Sequence, residues 1–185
     1  MQRTIDQDRN ELFRLLKTQA FSKGKFILSS GKESNFYLDA RLVTLCAAGA
    51  YLTARIMLDM ISKDQPDAIG GPTLGADPMV GAIACLSHQA GRPINTFIIR
   101  KQPKEHGKQQ QVEGPLLKEG GSVVIIDDVA TTGKALVEAI VVLKKMNINI
   151  KKAICVIDRG EGALEALAKH KVPLKSIFTL AEFLQ

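Results

Sequence analysis

Short apolar runs alternate along this chain with longer stretches whose apolar residues recur at helical spacing. The short runs predict strands over residues 67–71, 95–100, 122–127, 153–158 and 176–180. The longer stretches predict helices over residues 78–90, 134–147 and 162–170. This alternation indicates an α/β fold, because right-handed crossovers build a mostly parallel sheet with helices on both faces. We expect five or six strands.

The N-terminal part has a different pattern. Residues 6–20 carry apolar side chains at helical spacing, which predicts a short amphipathic helix, and residues 25–39 predict two short strands around a Ser-Gly turn. No internal repeat or linker divides the sequence. We therefore expect a single domain, residues 1–185, in which a helix and small hood (1–45) lie on a core (46–185).

A long polar interval interrupts the alternation of strands and helices. It begins RKQPKEHGKQQQ at Arg100 and has too few apolar residues for a crossover helix with a buried face. Within it, Arg100, Lys101, Lys104 and His106 are opposed only by Glu105. Two interpretations stay open: a solvated surface loop, or a loop that brings positive charge to a binding site.

Composition fits a globular protein and narrows its partners. Of the 185 residues, 45% are hydrophobic and 24% are charged, and no run of about 18 apolar residues could span a bilayer. The net charge of +6 favours an anionic partner. Basic and aromatic residues do not interleave and Trp is absent, which argues against nucleic acid and favours a phosphorylated small molecule. Since no secretory signal is visible, we expect a cytoplasmic protein.

The cysteines are three in number and far apart. Cys46, Cys85 and Cys155 each lie among apolar residues. This arrangement predicts reduced core residues rather than a disulfide framework or a zinc site.

The strongest chemical signal is the segment VVIIDDVATTGKA, residues 123–135. Its β-branched run predicts a buried parallel strand that ends at Asp127 and Asp128, so both carboxylates would lie at the carboxyl edge of the sheet. Thr132 and Gly133 then lead into a predicted helix, whose free N–H groups suit a phosphate. A ribose 5-phosphate presents hydroxyls and phosphate in that order. The alternative is that the acids only end a strand and a threonine only caps a helix.

Two other nucleotide motifs do not fit this segment. Asp128 stands where a Walker A loop needs its first glycine, and Ala135 stands where that loop needs Ser or Thr. The dinucleotide fingerprint G-x-G-x-x-G follows none of the predicted strands.

The segment 123–135 resembles the phosphoribosyl-pyrophosphate signature of type I phosphoribosyltransferases. Further segments are similar to orotate phosphoribosyltransferases in content and order: 29–41, 70–78, 100–107 and 156–167. The resemblance implies the type I phosphoribosyltransferase fold. It also implies transfer of ribose 5-phosphate from phosphoribosyl pyrophosphate to orotate, which yields orotidine 5′-monophosphate and pyrophosphate in pyrimidine (UMP) biosynthesis.

The resemblance also implies roles for the residues of the signature. Asp127 and Asp128 would bind the ribose hydroxyls and belong to the catalytic set. The 5′-phosphate would be wrapped by Val129, Ala130, Thr131, Thr132, Gly133, Lys134 and Ala135. Magnesium would be held mainly through the pyrophosphate of the substrate, and no dedicated metal site of the protein is expected.

The polar interval gains a role from the same resemblance. It would be a mobile loop, about residues 101–114, that closes over the substrates of a homodimer with shared active sites. Lys101 would reach the neighbouring subunit's site. The expected pyrophosphate ligands are Arg100, Lys101, Lys104 and His106, of which the last three are also expected to be catalytic.

Arg159 is the candidate that would recognise orotate. It follows a predicted strand, and a guanidinium can grip a planar carboxylate such as that of orotate through two parallel hydrogen bonds. The alternative is a salt bridge to Asp158 or Glu161. By resemblance, Thr131 would be a second contact to orotate, and Tyr37 would stack on the base.

The chain departs from the family pattern at two places. Ser29 stands where many members have lysine. Where many members have Tyr-Lys in the G-P-x-Y-K-G segment, this chain reads Leu74, Gly75, Ala76 and Asp77. Independently of these departures, two other functions stay open: transfer to a purine or uracil base, and a regulator that binds phosphoribosyl pyrophosphate without turnover.

Overall fold

A computed structural model describes residues 3–27, 33–102 and 111–185, apart from the side chain of Ser34. The strands are β1 Phe21–Ile27, β2 Glu33–Leu38, β3 Ala68–Pro72, β4 Asn95–Ile99, β5 Val112–Glu113, β6 Ser122–Ala130, β7 Asn149–Asp158 and β8 Leu174–Thr179. The α-helices are α1 Ile5–Leu15, α2 Arg41–Thr44, α3 Ala47–Met60, α4 Asp77–Gln89, α5 Lys134–Lys145, α6 Ala163–Ala168 and α7 Leu180–Leu184, and a π-helix, Leu16–Ala20, continues α1. Within these described ranges, no helix has the length and apolar character needed to cross a membrane.

Six strands form the central sheet in the order β5-β4-β3-β6-β7-β8. All neighbouring pairs are parallel except β4 and β5, which are antiparallel. The predicted α/β fold with a mostly parallel sheet is therefore confirmed. The ligand-binding edge of such a sheet is the one where the parallel strands end.

Strand β6 explains why the sheet needs helices on both faces. Val124 and Ile126 join one apolar core, whereas Val123 and Ile125 join the other. None of the four is more than 1% exposed. Successive side chains of a strand point to opposite faces, so a run of four apolar residues can be buried only between two layers of helices.

The predicted N-terminal strands are present as an antiparallel pair, in which Phe21 lies opposite Leu38. The turn predicted between them, residues 28–32, lies outside the described residues. Phe21 also packs against Phe183 of α7 with ring centroids 5.8 Å apart, so an aromatic contact joins this pair to the C-terminal helix.

Several bounds differ from those predicted. Strand β6 extends beyond residue 127 because Val129 and Ala130 pair with Ile157 and Asp158 of β7. The predicted loop of about 101–114 contains strand β5, which pairs with β4. The prediction of three core cysteines was wrong, since Cys85 is exposed and Cys46 is partly exposed, while Cys155 is buried.

Candidate active site

The carboxyl edge of the sheet brings together segments that are distant in the sequence. Loop 73–76 leaves β3, the acidic pair lies near the end of β6, and Arg159 follows β7. Strands β3, β6 and β7 are adjacent and parallel, so these three segments lie side by side.

The two acids lie in the last part of β6 rather than after its end. Asp127 is 8% exposed, and Asp128 is partly buried. Each carboxylate accepts a hydrogen bond from the next backbone N–H: Asp127 Oδ1 from Asp128 at 2.9 Å, and Asp128 Oδ1 from Val129 at 2.8 Å. These bonds fix both side chains against the strand.

The surroundings of Asp127 disfavour its charged form. Burial raises the pKa of this carboxyl well above its usual range, and the neighbouring charge of Asp128 raises the pKa further. A buried carboxylate is stabilised by hydroxyl donors or by a cation. The charged form of Asp127 is therefore favoured by a ligand that offers either group.

The β3–α4 loop touches the acids through its backbone. A Cβ atom built at Gly75 would overlap Oδ1 of Asp127 and lie 2.5 Å from Oδ1 of Asp128. Within this loop the peptide bond between Thr73 and Leu74 is cis. Asp77 accepts a 2.7 Å hydrogen bond from the Thr73 hydroxyl, so the departure from the family pattern at 74–77 holds the two ends of the loop together.

A cavity of about 150 Å³ lies beside the acids, between the end of β6 and the start of α5. Its lining includes Asp127 and all seven residues predicted to wrap a phosphate, 129–135. Gly133 is the N-cap residue of α5 and has φ of 76°, and a Cβ atom there would lie 3.0 Å from the Ala163 Cα. Glycine therefore allows the helix N-terminus to face the cavity while the turn packs tightly on α6.

Arg159 is held at the same edge. Its Nε donates a 2.8 Å hydrogen bond to Oε1 of Glu161, and its guanidinium lies over the ring of Phe36, 5.2 Å from the centroid. The ion pair with Glu161 that was considered as an alternative is thus present, whereas Asp158 accepts from the Gly160 N–H at 2.9 Å. Among the residues that the structure describes, the Nη atoms of Arg159 form no hydrogen bond. They remain able to bind a ligand.

Two hood residues at this edge were missed from the sequence. Phe36 contacts Arg159, and the Arg41 guanidinium donates two hydrogen bonds to Asp39, of 2.9 and 3.0 Å. Asp39 raises the pKa of Arg41, and the charge of Asp128 adds to that effect, which indicates that this cation lies near the acids. The only signal in the sequence was their position inside the segment 29–41. Tyr37, which was predicted, is 43% exposed and packs against Phe26.

The start and end of the polar interval are clamped together. The Arg100 N–H donates to the Gln111 carbonyl, and Gln111 Nε2 donates to the Arg100 carbonyl, both at 2.9 Å. The Arg100 side chain pairs with Glu113 at 3.6 Å, and Lys101 is exposed. Strand β3 lies between β4 and β6, so Arg100 and Gln111, which pair at the base of the polar interval, lie roughly 10 Å from the acids. Lys104 and His106 lie outside the described residues.

A metal ion would find oxygen donors at this edge. Across residues 3–27, 33–102 and 111–185, no three His, Cys, Asp or Glu side chains are grouped as a metal site. Asp127 and Asp128 supply hard oxygen atoms beside the cavity, which is the donor type that magnesium prefers. The residues present therefore fit a magnesium ion that a phosphorylated ligand carries with it.

Comparison with known proteins identifies the family. Residues 44–183 match the family model described as "Phosphoribosyl transferase domain". The orotate phosphoribosyltransferase of Aquifex aeolicus (strain VF5) is 39% identical over 180 residues, which cover 96% of this chain and 98% of that protein. The chain belongs to the orotate phosphoribosyltransferase family.

Solved structures of family members have the same fold. The orotate phosphoribosyltransferase of Mycobacterium tuberculosis H37Rv, in complex with Fe(III) dicitrate, superposes with a TM-score of 0.84 at 34% identity and covers 95% of this chain and 98% of its own. The same enzyme in complex with phosphoribosyl pyrophosphate gives a TM-score of 0.80 at 30% identity, over 96% and 99% of the two chains. The predicted family and fold are therefore confirmed.

Proposed function

We propose that this chain transfers ribose 5-phosphate from phosphoribosyl pyrophosphate to orotate, giving orotidine 5′-monophosphate and pyrophosphate in pyrimidine (UMP) biosynthesis. One observation carries the proposal. An acidic pair, of which Asp127 is buried and Asp128 partly buried, lies at the same sheet edge as a cavity lined by a helix N-terminus and a guanidinium with free Nη atoms. These groups match the ribose hydroxyls, the 5′-phosphate and the base carboxylate.

In this proposal, Asp127 and Asp128 accept hydrogen bonds from the 2′- and 3′-hydroxyls of the ribose. The 5′-phosphate occupies the cavity lined by residues 129–135, where backbone N–H groups and Thr hydroxyls donate to it. Burial disfavours the charged form of Asp127, and hydroxyl donors would stabilise that form. The contact between Asp127 and the ribose would therefore contribute to the binding energy. The family member solved with phosphoribosyl pyrophosphate supports this ligand.

Catalysis then depends on stabilising the charges that develop as the bond between the anomeric carbon and pyrophosphate breaks. As its bond to pyrophosphate breaks, negative charge grows on the pyrophosphate and positive charge grows on the ribose ring. Arg100, Lys101, Lys104 and His106 would stabilise the leaving pyrophosphate. When the loop that carries them closes, it also excludes water from the reactive carbon. In a homodimer, Lys101 would act in the neighbouring subunit's site.

Magnesium would accompany the substrate. A bound ion neutralises pyrophosphate charge, which is the chemistry that it supplies here. Asp127 and Asp128 are the residues that would lie beside it. Their roles, the homodimer and a cytoplasmic location stay predictions.

The base would be recognised by its carboxylate. The two Nη atoms of Arg159 would donate parallel hydrogen bonds to it, while Thr131 adds a further contact and Tyr37 stacks on the ring. A purine or uracil transferase would have no use for this guanidinium. The cations of the polar interval, Arg100, Lys101, Lys104 and His106, favour turnover over a regulator that only binds phosphoribosyl pyrophosphate.

The decrease in orotate absorbance on turnover tests the proposal. The purified chain should consume orotate only when phosphoribosyl pyrophosphate and magnesium are both present. Parallel assays with uracil, guanine and hypoxanthine test the competing functions. A clear preference for one of those bases, or binding of phosphoribosyl pyrophosphate without any turnover, would refute it.

A further inference from the structure

Arg159 is held from two directions at once. Glu161 accepts a hydrogen bond from Nε at 2.8 Å, and the guanidinium carbon Cζ lies over the Phe36 ring, 5.2 Å from its centroid. The Arg159 side chain is only 12% exposed, whereas that of Glu161 is 45% exposed, so water weakens the ion pair more than it weakens the contact with Phe36. A long, flexible side chain is thereby restricted to one orientation.

Phe36 is in turn fixed by other aromatic rings. Its ring stacks on Phe21 with centroids 5.9 Å apart, and Phe21 packs on Phe183 at 5.8 Å. Phe183 is completely buried in the core. The Arg159 guanidinium therefore lies over a ring whose position depends on the core of the protein.

The two contacts leave one part of Arg159 available. Glu161 occupies Nε, and Phe36 lies on one side of the guanidinium, so the Nη atoms provide the remaining pair of parallel donors. An arginine that is already oriented loses little conformational freedom when a carboxylate binds. This pair of donors favours the binding of a planar carboxylate that lies in the plane of the guanidinium. A base without a carboxylate gains no affinity from it.

We propose that Phe36 and Glu161 are positioning residues that set the specificity of this site for a base with a carboxylate. They act through Arg159 and do not contact the substrate themselves. The proposal rests on the proposed function, because it assumes that Arg159 binds the orotate carboxylate.

Steady-state kinetics of Phe36→Leu tests the proposal. Loss of the aromatic face should raise KM for orotate about five- to tenfold, with kcat and KM for phosphoribosyl pyrophosphate nearly unchanged. Phe36→Tyr keeps the ring and should restore the wild-type KM. Glu161→Ala should likewise raise KM for orotate, and Glu161→Gln, which keeps an oxygen acceptor for Nε, should recover most of it.

Phe13→Leu is the matched control. Phe13 belongs to the same aromatic group and also carries a cation over its ring, Lys17 at 5.5 Å, but it does not contact Arg159. It should lower thermal stability and leave KM for orotate unchanged. An equal rise in KM for both substrates, the same effect in Phe13→Leu, or no effect of Phe36→Leu and Glu161→Ala would overturn the positioning roles. A wild type without orotate turnover would overturn the proposed function and this inference together.

Discussion

Asp127→Asn should make the free protein more stable while it impairs the site. Asparagine has nearly the same shape and keeps a carbonyl oxygen for the Asp128 N–H, so the variant removes the charge and replaces the other carboxylate oxygen by an NH2 group. Asp127 is 8% exposed, and its pKa is raised well above the usual range by burial and then by Asp128. The wild type therefore bears an electrostatic cost that the variant lacks.

The size of this effect depends on pH. A carboxyl with a raised pKa in the folded state stabilises the fold fully below its unfolded pKa, about pH 4, and this stability is lost as pH rises through the folded pKa. Within that window the wild type loses about 1.4 kcal/mol per pH unit relative to the variant. For a chain of this length, that widens the gap in Tm by about 3–6 °C per pH unit.

Thermal unfolding without ligand, followed by circular dichroism from about pH 4 to pH 8, measures the gap. At the acidic end of this range the two proteins should have the same Tm. At the neutral end the variant should have the higher Tm. Asp59→Asn, which changes an exposed acid of α3, should show no comparable trend. A gap that is independent of pH, or a variant that melts below the wild type at neutral pH, would refute the reasoning.

Three further substitutions test separate parts of the site. Arg159→Lys cannot keep both parallel hydrogen bonds, so loss of one, worth about 1.5–3 kcal/mol, should lower kcat/KM for orotate about 10- to 150-fold in a steady-state assay. A loss that is no larger than that of a conservative surface change would contradict this role. Gly133→Ala combines φ of 76° with a Cβ 3.0 Å from Ala163, so its Tm should fall further than that of Gly120→Ala, where φ is 75° and no atom lies within 4 Å of the Cβ. Equal changes in Tm would mean that the contact with α6 is unimportant. Lys101→Ala should reduce kcat more than substrate affinity, and mixing it with an Asp127→Ala subunit should restore some activity; no recovery would rule out sites shared between subunits.

The strands that are buried on both faces of the sheet could be predicted, because an apolar run in the local sequence is enough to indicate such burial. Strands buried on both faces need continuous apolar runs, and SVVIID and AICVID supply them. Strand β5 could not be predicted in this way. Val112–Glu113 is a strand only because it pairs with β4, a tertiary contact that two residues cannot encode by themselves. The four-residue helix Arg41–Thr44 is similarly too short for a periodic pattern.

The same distinction applies to the site. The cavity beside Asp127 was predictable because its lining is one continuous segment, in which sequence order and spatial order coincide. The burial of Asp127 depends on β3, β7 and the approach of Gly75, so the strong rise in its pKa has no local signal. The contact of Phe36 with Arg159 joins the hood to β7, and no pairing rule links positions so far apart in the chain.

Calorimetric titration with magnesium and phosphoribosyl pyrophosphate tests most directly whether the end of β6 holds the sugar phosphate. Wild type and Asp59→Asn should bind one molecule per subunit with equal affinity. The double variant Asp127→Asn with Asp128→Asn should bind at least about tenfold more weakly, because both acceptors for the ribose hydroxyls lose their charge. Undiminished affinity in the double variant would contradict the account.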